Sequence, residues 1–123
     1  MKTYGPYSPY RVAQGVVYTA GQIGAVRGKA EPDIRHQVKQ ALENLGAVLV
    51  EAGSGLDLVV KTTVFLTDMN HYAAMNEVYG ELFAAVSNAP ARTCVAVAEL
   101  PRVADHPLLV EVEAVALLRE CST

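Results

Sequence analysis

Residues 33–53 read DIRHQVKQALENLGAVLVEAG, and the spacing of their apolar side chains decides the architecture. Those side chains fall at Ile34, Val38, Ala41, Leu42, Leu45, Val48, Leu49 and Ala52, in steps of three and four that draw one stripe along a helix. Asp33 is the expected N-cap, because a short carboxylate there accepts a bond from an otherwise unpaired first-turn amide. Gly53 stands where a helix closes on a left-handed residue, and Gly55 continues the turn. A stripe of this length must be buried, and the flanking sequence supplies mostly strands to bury it against.

Downstream, Leu58 to Thr67 is rich in β-branched residues and alternates between Leu58/Val60/Thr62/Val64/Leu66 and Val59/Lys61/Thr63/Phe65/Thr67. The first set is expected to face the core. Asp68 or Asn70 then caps a second helix with the stripe Tyr72, Met75, Val78, Tyr79, Leu82, Phe83 and Val86, ending before Pro90. Two strands follow, Arg92 to Glu99 and Leu108 to Leu118, joined by the Pro101 to Pro107 loop. Upstream, Val12 to Gln14 and Val16 to Ala20 form a hairpin about Gly15, and Gly21 to Pro32 reads as a loop. The order is ββαβαββ, a single α+β domain over residues 1–123 with both helices on one face of one sheet. The other face lacks a cover yet carries Leu109, Val115 and Leu117 beside Glu111 and Glu113. Apolar area of this kind is expected to be buried against copies of the same chain.

Composition narrows the function classes. An apolar share of 51% over 123 residues supports one core and too little chain for two domains. The longest apolar run is broken at Gly46, far short of the roughly 20 residues of a membrane span, and Met1 to Pro9 lacks the apolar core of a signal peptide. The expected location is the cytoplasm. A formal charge of −3 with no Lys/Arg cluster argues against nucleic acid as the main ligand. Cys94 and Cys121 are expected to be free thiols.

The segment from Ala89 to Ala114 carries the chemistry. A period of two puts Arg92, Cys94, Ala96 and Ala98 on one face and Thr93, Val95 and Val97 on the other, with Val95 and Val97 expected in the core. If the last two strands pair, Glu111 and Glu113 share the face of Arg92, so a guanidinium and a carboxylate flank one pocket. The parallel donors of a guanidinium match a carboxylate, which makes a small organic acid the natural ligand. From spacing alone, an intramolecular or intersubunit salt bridge fits equally well. Cys94 reads as a small buried hydrophobe, and His36, His71 and His106 are not spaced to activate it or to ligate a metal. Tyr7, in Gly5-Pro6-Tyr7-Ser8-Pro9, belongs to a rigid arm or closes a pocket on a neighbouring subunit. Gly53-Ser54-Gly55 follows a helix and has Leu58 where a dinucleotide loop needs its third glycine. No cofactor motif is present.

Gly5-Pro6-Tyr7-Ser8, Ala20-Gly21-Gln22-Ile23, Val60 to Met69, Asn76-Glu77-Val78-Tyr79, Pro90 to Val95 and Val110 to Ala114, in this order, resemble the RidA (YjgF/YER) family of reactive intermediate deaminases over nearly the whole chain. The resemblance implies a chorismate-mutase-like α+β subunit with a mixed sheet, a homotrimer, and clefts between subunits that bind small carboxylates. It implies cofactor-free hydrolysis of 2-enamine or 2-imino acids to 2-oxo acids and ammonia. By the same resemblance Arg92 holds the substrate carboxylate, Glu111 positions or activates the water, and Tyr7 lines the cleft; Gly21 and Cys94 offer backbone contacts, with Asn76 in support. Ala20 replaces a serine typical of the family, and the Pro101 to Pro107 loop is longer than in the archetype. A binder of 2-oxo acids, a deaminase for a larger enamine of the 2-aminomuconate type, and a ribonuclease are the alternatives.

Overall fold

In a computed structural model, residues 2–86 and 88–120 are described. The chain opens with an antiparallel hairpin, β1 (Tyr10–Ala13) and β2 (Val16–Thr19). Gln14 and Gly15 form its two-residue turn with φ of 50° and 78°, so Gln14 belongs to the turn and not to the strand. Positive φ at both central residues gives the twist that two-residue hairpins need.

The stretch expected to be a loop holds three short strands, β3 (Gln22–Ile23), β4 (Ala25–Val26) and β5 (Lys29–Ala30), the last two paired about Arg27-Gly28. Strands of two residues are too short to show any alternation in sequence. Gly24 is required here by close approach: a β-carbon on it would lie 2.5 Å from the Gln37 carbonyl oxygen.

Helix α1 (Ile34–Glu51) buries the expected stripe, and Asp33 caps it by accepting from the His36 amide at 2.9 Å. Gly53 closes it at φ 89°. After a short 3₁₀ turn comes β6 (Val59–Leu66), then α2 (Tyr72–Phe83), β7 (Ala91–Ala96) and β8 (Val110–Leu117). Asp68 caps the 3₁₀ turn Met69–His71 ahead of α2, accepting from the Asn70 amide, and not the α-helix itself. An irregularity between Val59 and Lys61 shifts the β6 pairing, so Thr62, Val64 and Leu66 reach the core as expected while Val60 is exposed and Val59 takes its place. A bulge of this kind reverses the alternation on one side of it.

The five long strands form a mixed sheet in the order β1-β2-β8-β6-β7, with β3 also bonded to β8. Only β6 and β7 are parallel. Helices α1 and α2 pack on one face over Val17, Val64, Leu66, Val110, Val112 and Ala114, and Arg35 on α1 bridges to Glu77 on α2 at 2.6 Å. Inside this core Thr62 and Tyr79 share a hydroxyl bond of 2.7 Å.

The strand order overturns one expectation outright. β6 lies between β7 and β8, so the last two strands do not pair. Arg92 and Cys94 stand opposite Thr62 and Val64 on the helix face, whereas Glu111 and Glu113 stand opposite Phe65 and Thr63 on the free face. Val95, expected in the core, is on the free face and 39% exposed. The face without helices does carry apolar groups, including Tyr18, Val95 and Leu117, all exposed.

Candidate functional site

Glu111 emerges from β8 on the free face against Gly21, where a β-carbon would lie 2.6 Å from its carboxyl carbon and 2.8 Å from one carboxylate oxygen. The absence of a side chain at Gly21 gives the carboxylate its place. Burial pushes the Glu111 carboxyl above the ordinary glutamate range, and the neighbouring Glu113 carboxylate adds to the effect. A carboxylate so placed holds a proton more readily than a solvated one, the direction that favours acid/base work.

Tyr7 reaches the same place from the N-terminal arm. The arm is fixed at its base by the Ala20 amide bonding to the Pro9 carbonyl at 2.9 Å, and it turns tightly where Tyr7 N donates to the Gly5 carbonyl. Two cavities adjoin at this point, one of about 410 Å³ and one of about 660 Å³, and Tyr7, Gly21, Pro101 and Glu111 line both. Ala20 lines the larger one with its methyl group.

Arg92 occupies a different place. On edge strand β7 it lies under α2, its guanidinium carbon 4.8 Å from the Tyr79 ring centre and 5.6 Å from that of Tyr72. One guanidinium nitrogen donates to the Tyr72 hydroxyl at 3.2 Å and another approaches the Met75 sulfur at 3.8 Å. Aromatic faces hold a cation while leaving donors in its plane unspent. Among the described residues no carboxylate lies within ion-pair distance of Arg92. The intramolecular salt bridge to Glu111 or Glu113 is therefore not formed in this chain.

Cys94 follows on the same face, half-buried, and burial raises its thiol pKa despite the opposing charge of Arg92. Burial thus disfavours the thiolate, the form in which a cysteine acts as a nucleophile. Asn76 sits on α2 next to Met75 with its side-chain oxygen buried and without a hydrogen-bond partner among the described residues. One chain thus brings together Tyr7, Ala20, Gly21 and Glu111, and places Arg92, Cys94 and Asn76 on the other side of the sheet. Cys121 lies outside the described residues. Among those described, no group of three or more His, Cys, Asp or Glu is placed to hold a metal ion.

Sequence reading missed the aromatic cradle. Tyr72 and Tyr79 are seven residues apart on one helical face, a spacing that fits a core stripe as well as a cation-binding pair. It also missed Pro101, whose position depends on how the long loop folds back.

A family model described as "Endoribonuclease L-PSP" matches residues 1–118. The chain belongs to this family. This is the group that the RidA and YjgF motifs resemble. A RutC family protein of Synechocystis is 49% identical over 118 residues, covering 93% of this chain and 87% of that protein. TdcF of Escherichia coli K12, which carries the provisional name of a reactive intermediate deaminase, is 37% identical over 116 residues, covering 92% and 87%. Among solved structures, E. coli TdcF with bound serine superposes with a TM-score of 0.87 at 36% identity, covering 95% of this chain and 91% of that one. The L-PSP family also has a mitochondrial member, mmf1 of Schizosaccharomyces pombe, 42% identical over 118 residues and covering 95% and 71%. Among the described residues of the present chain no helix is long and apolar enough to cross a membrane.

Proposed function

We propose that the protein is a deaminase that hydrolyses 2-imino and 2-enamine acids to 2-oxo acids and ammonia, at a site completed between copies of the chain. The observation that carries this reading is the division of the chemistry. A guanidinium with no carboxylate partner among the described residues lies at one sheet edge, and a half-buried carboxyl of raised pKa stands on the uncovered apolar face. A homotrimer that covers the free face brings Arg92 of one copy toward Tyr7 and Glu111 of the next.

In this reading Arg92 grips the substrate carboxylate with paired N–H donors, which fixes the imine carbon. Glu111 takes a proton from the attacking water as the new C–O bond forms, and returns one to nitrogen as the carbinolamine C–N bond breaks and ammonia leaves. An imine carbon is already electrophilic, so orientation and one acid/base group meet the chemical demand. Tyr7 closes the cleft, while Gly21 and Cys94 present backbone and Asn76 supports the Arg92 side.

The net charge of −3, without a Lys/Arg cluster, supports this reading over cleavage of RNA. The serine bound to TdcF favours a second reading, in which the same cleft only binds small amino or oxo acids. The deciding experiment generates imino acids with an amino-acid oxidase and measures 2-oxo acid formation with wild type and Arg92→Ala. Acceleration lost in the variant supports the deaminase; binding of 2-oxobutyrate with no acceleration supports the binder. A strong preference for a larger enamine of the 2-aminomuconate type points to a specialised deaminase, for which the Ala20 methyl leaves room.

A further inference from the structure

The Pro101 to Pro107 connection, which the resemblance marks as longer than the family's archetype, is folded, and its bonds show what it is built around. The Asp105 carboxylate accepts from the Ala30 amide at 2.9 Å, while the Asp105 amide donates to the Gly28 carbonyl at 2.9 Å. At the loop's far end the fully buried Gln37 donates to the Pro107 carbonyl at 3.0 Å and accepts from the Leu109 amide at 2.8 Å. Leu100, Val103 and Ala104 pack on a second small core of Ile23, Ala25, Ala30 and Leu108. The C-terminal half of the loop is therefore clamped to the β4-β5 hairpin through Asp105 and to α1 through Gln37, while its Leu100 and Val103 side rests on the small core, a preorganised wall and not a mobile flap.

That wall, the arm and the outer surface of α1 border the 410 Å³ cavity, which opens to solvent past Tyr4, Val26 and Ala47. Its lining beyond Glu111 is mainly apolar, with Tyr4, Val26, Ala47, Val48, Pro101 and Val103. The polar side chain deepest in α1's contribution, Asn44, is already spent: its amide donates to the Ile23 and Ala25 carbonyls at 2.9 and 3.0 Å, and its oxygen accepts from Gln40. Lys2 and Arg27 are exposed, at the rim. Thr3 and Gln22 also line it, and their donors go to the Gly5 and Ala20 carbonyls at 2.8 and 3.3 Å, so a cavity of this size and lining is the form of a pocket for an apolar group.

We propose that this cavity receives the side chain of the substrate acid, and that the clamped 101–107 loop makes the protein select 2-imino acids with bulky apolar side chains. The inference rests on the deaminase reading for which end of the ligand meets Glu111. Each methylene buried in such a pocket favours the larger ligand several-fold, so a leucine-derived ligand gains at least tenfold over an alanine-derived one.

Calorimetry with the product acids tests the pocket independently of catalysis. Wild type is expected to bind 4-methyl-2-oxopentanoate at least tenfold more tightly than pyruvate. Ala47→Phe and Val26→Phe, both at exposed positions and on different elements, fill the cavity and are expected to reduce that ratio by at least tenfold, with the same change in the kcat/KM ratio for the matching imino acids. Equal affinities in wild type, or a ratio unmoved by both variants, overturns the pocket while leaving the deaminase intact. Selective binding without hydrolysis supports the pocket and overturns the deaminase. Failure to bind either acid overturns the pocket, and the oxidase-coupled assay decides the deaminase.

Discussion

Replacing Gly21 by alanine tests whether the position of one carboxylate governs the reaction. The new β-carbon would stand 2.6 Å from the Glu111 carboxyl carbon and 2.8 Å from its γ-carbon. Ordinary carbon contacts need roughly 3.5 Å or more, so the carboxylate must retreat by about 1 Å. The obstacle is the far end of a flexible side chain beside two cavities, so the retreat strains little of the fold. A displacement of about 1 Å in a catalytic group costs on the order of a hundredfold in rate. Gly21→Ala is therefore expected to keep a thermal midpoint within about two degrees of wild type, with ΔΔG in the range of surface substitutions of roughly 0.5 kcal/mol, yet to lose on the order of a hundredfold in kcat for imino acid hydrolysis. Thermal unfolding by circular dichroism and the oxidase-coupled assay read the two quantities on the same preparation. Unchanged kcat at an unchanged midpoint would refute the role given to Glu111. A collapse of the midpoint would show that the carboxylate has nowhere to go, and so refute the geometry.

Arg92→Ala removes charge-assisted bonds worth about 1.5–3 kcal/mol and is expected to lower kcat/KM by roughly ten- to a hundredfold. Arg92→Lys keeps the charge but not the planar fork stacked on Tyr72 and Tyr79, so it should recover only part of that loss. For Glu111 the folded pKa is raised, so protonation favours the folded state: its stability contribution is full below the ordinary carboxylate range and lost as pH rises through the raised value. Glu111→Gln should thus raise the unfolding midpoint modestly at pH 8, show no gain near pH 4, and abolish hydrolysis; a gain that grows on acidification would contradict the assigned direction. Tyr79→Phe strands the buried Thr62 hydroxyl and should cost about 1–3 kcal/mol in urea unfolding, whereas adding Thr62→Val should restore much of it, a coupling absent if the 2.7 Å bond is not formed.

Helix α1 was legible because its stripe spans five turns and both caps are local, and β6 and β8 because alternation over eight residues outweighs chance. The hairpin at β4-β5 was illegible because two-residue strands have no period, and the β6 bulge because one inserted residue changes the facing of Val60 without changing any residue type. The site was legible as a set of residues and not as an arrangement. Alternation assigns Arg92 and Glu111 to faces only relative to their own strands, and the relation between strands is set by the long-range order that inserts β6 between them. That insertion has a chemical consequence. Had β7 and β8 paired, the guanidinium could have neutralised Glu111 within the chain, lowering the carboxyl's pKa and spending the donors of Arg92. With β6 between them, Glu111 keeps a raised pKa and Arg92 is held by aromatic rings and a hydroxyl, so each group retains the property that the proposed reaction asks of it.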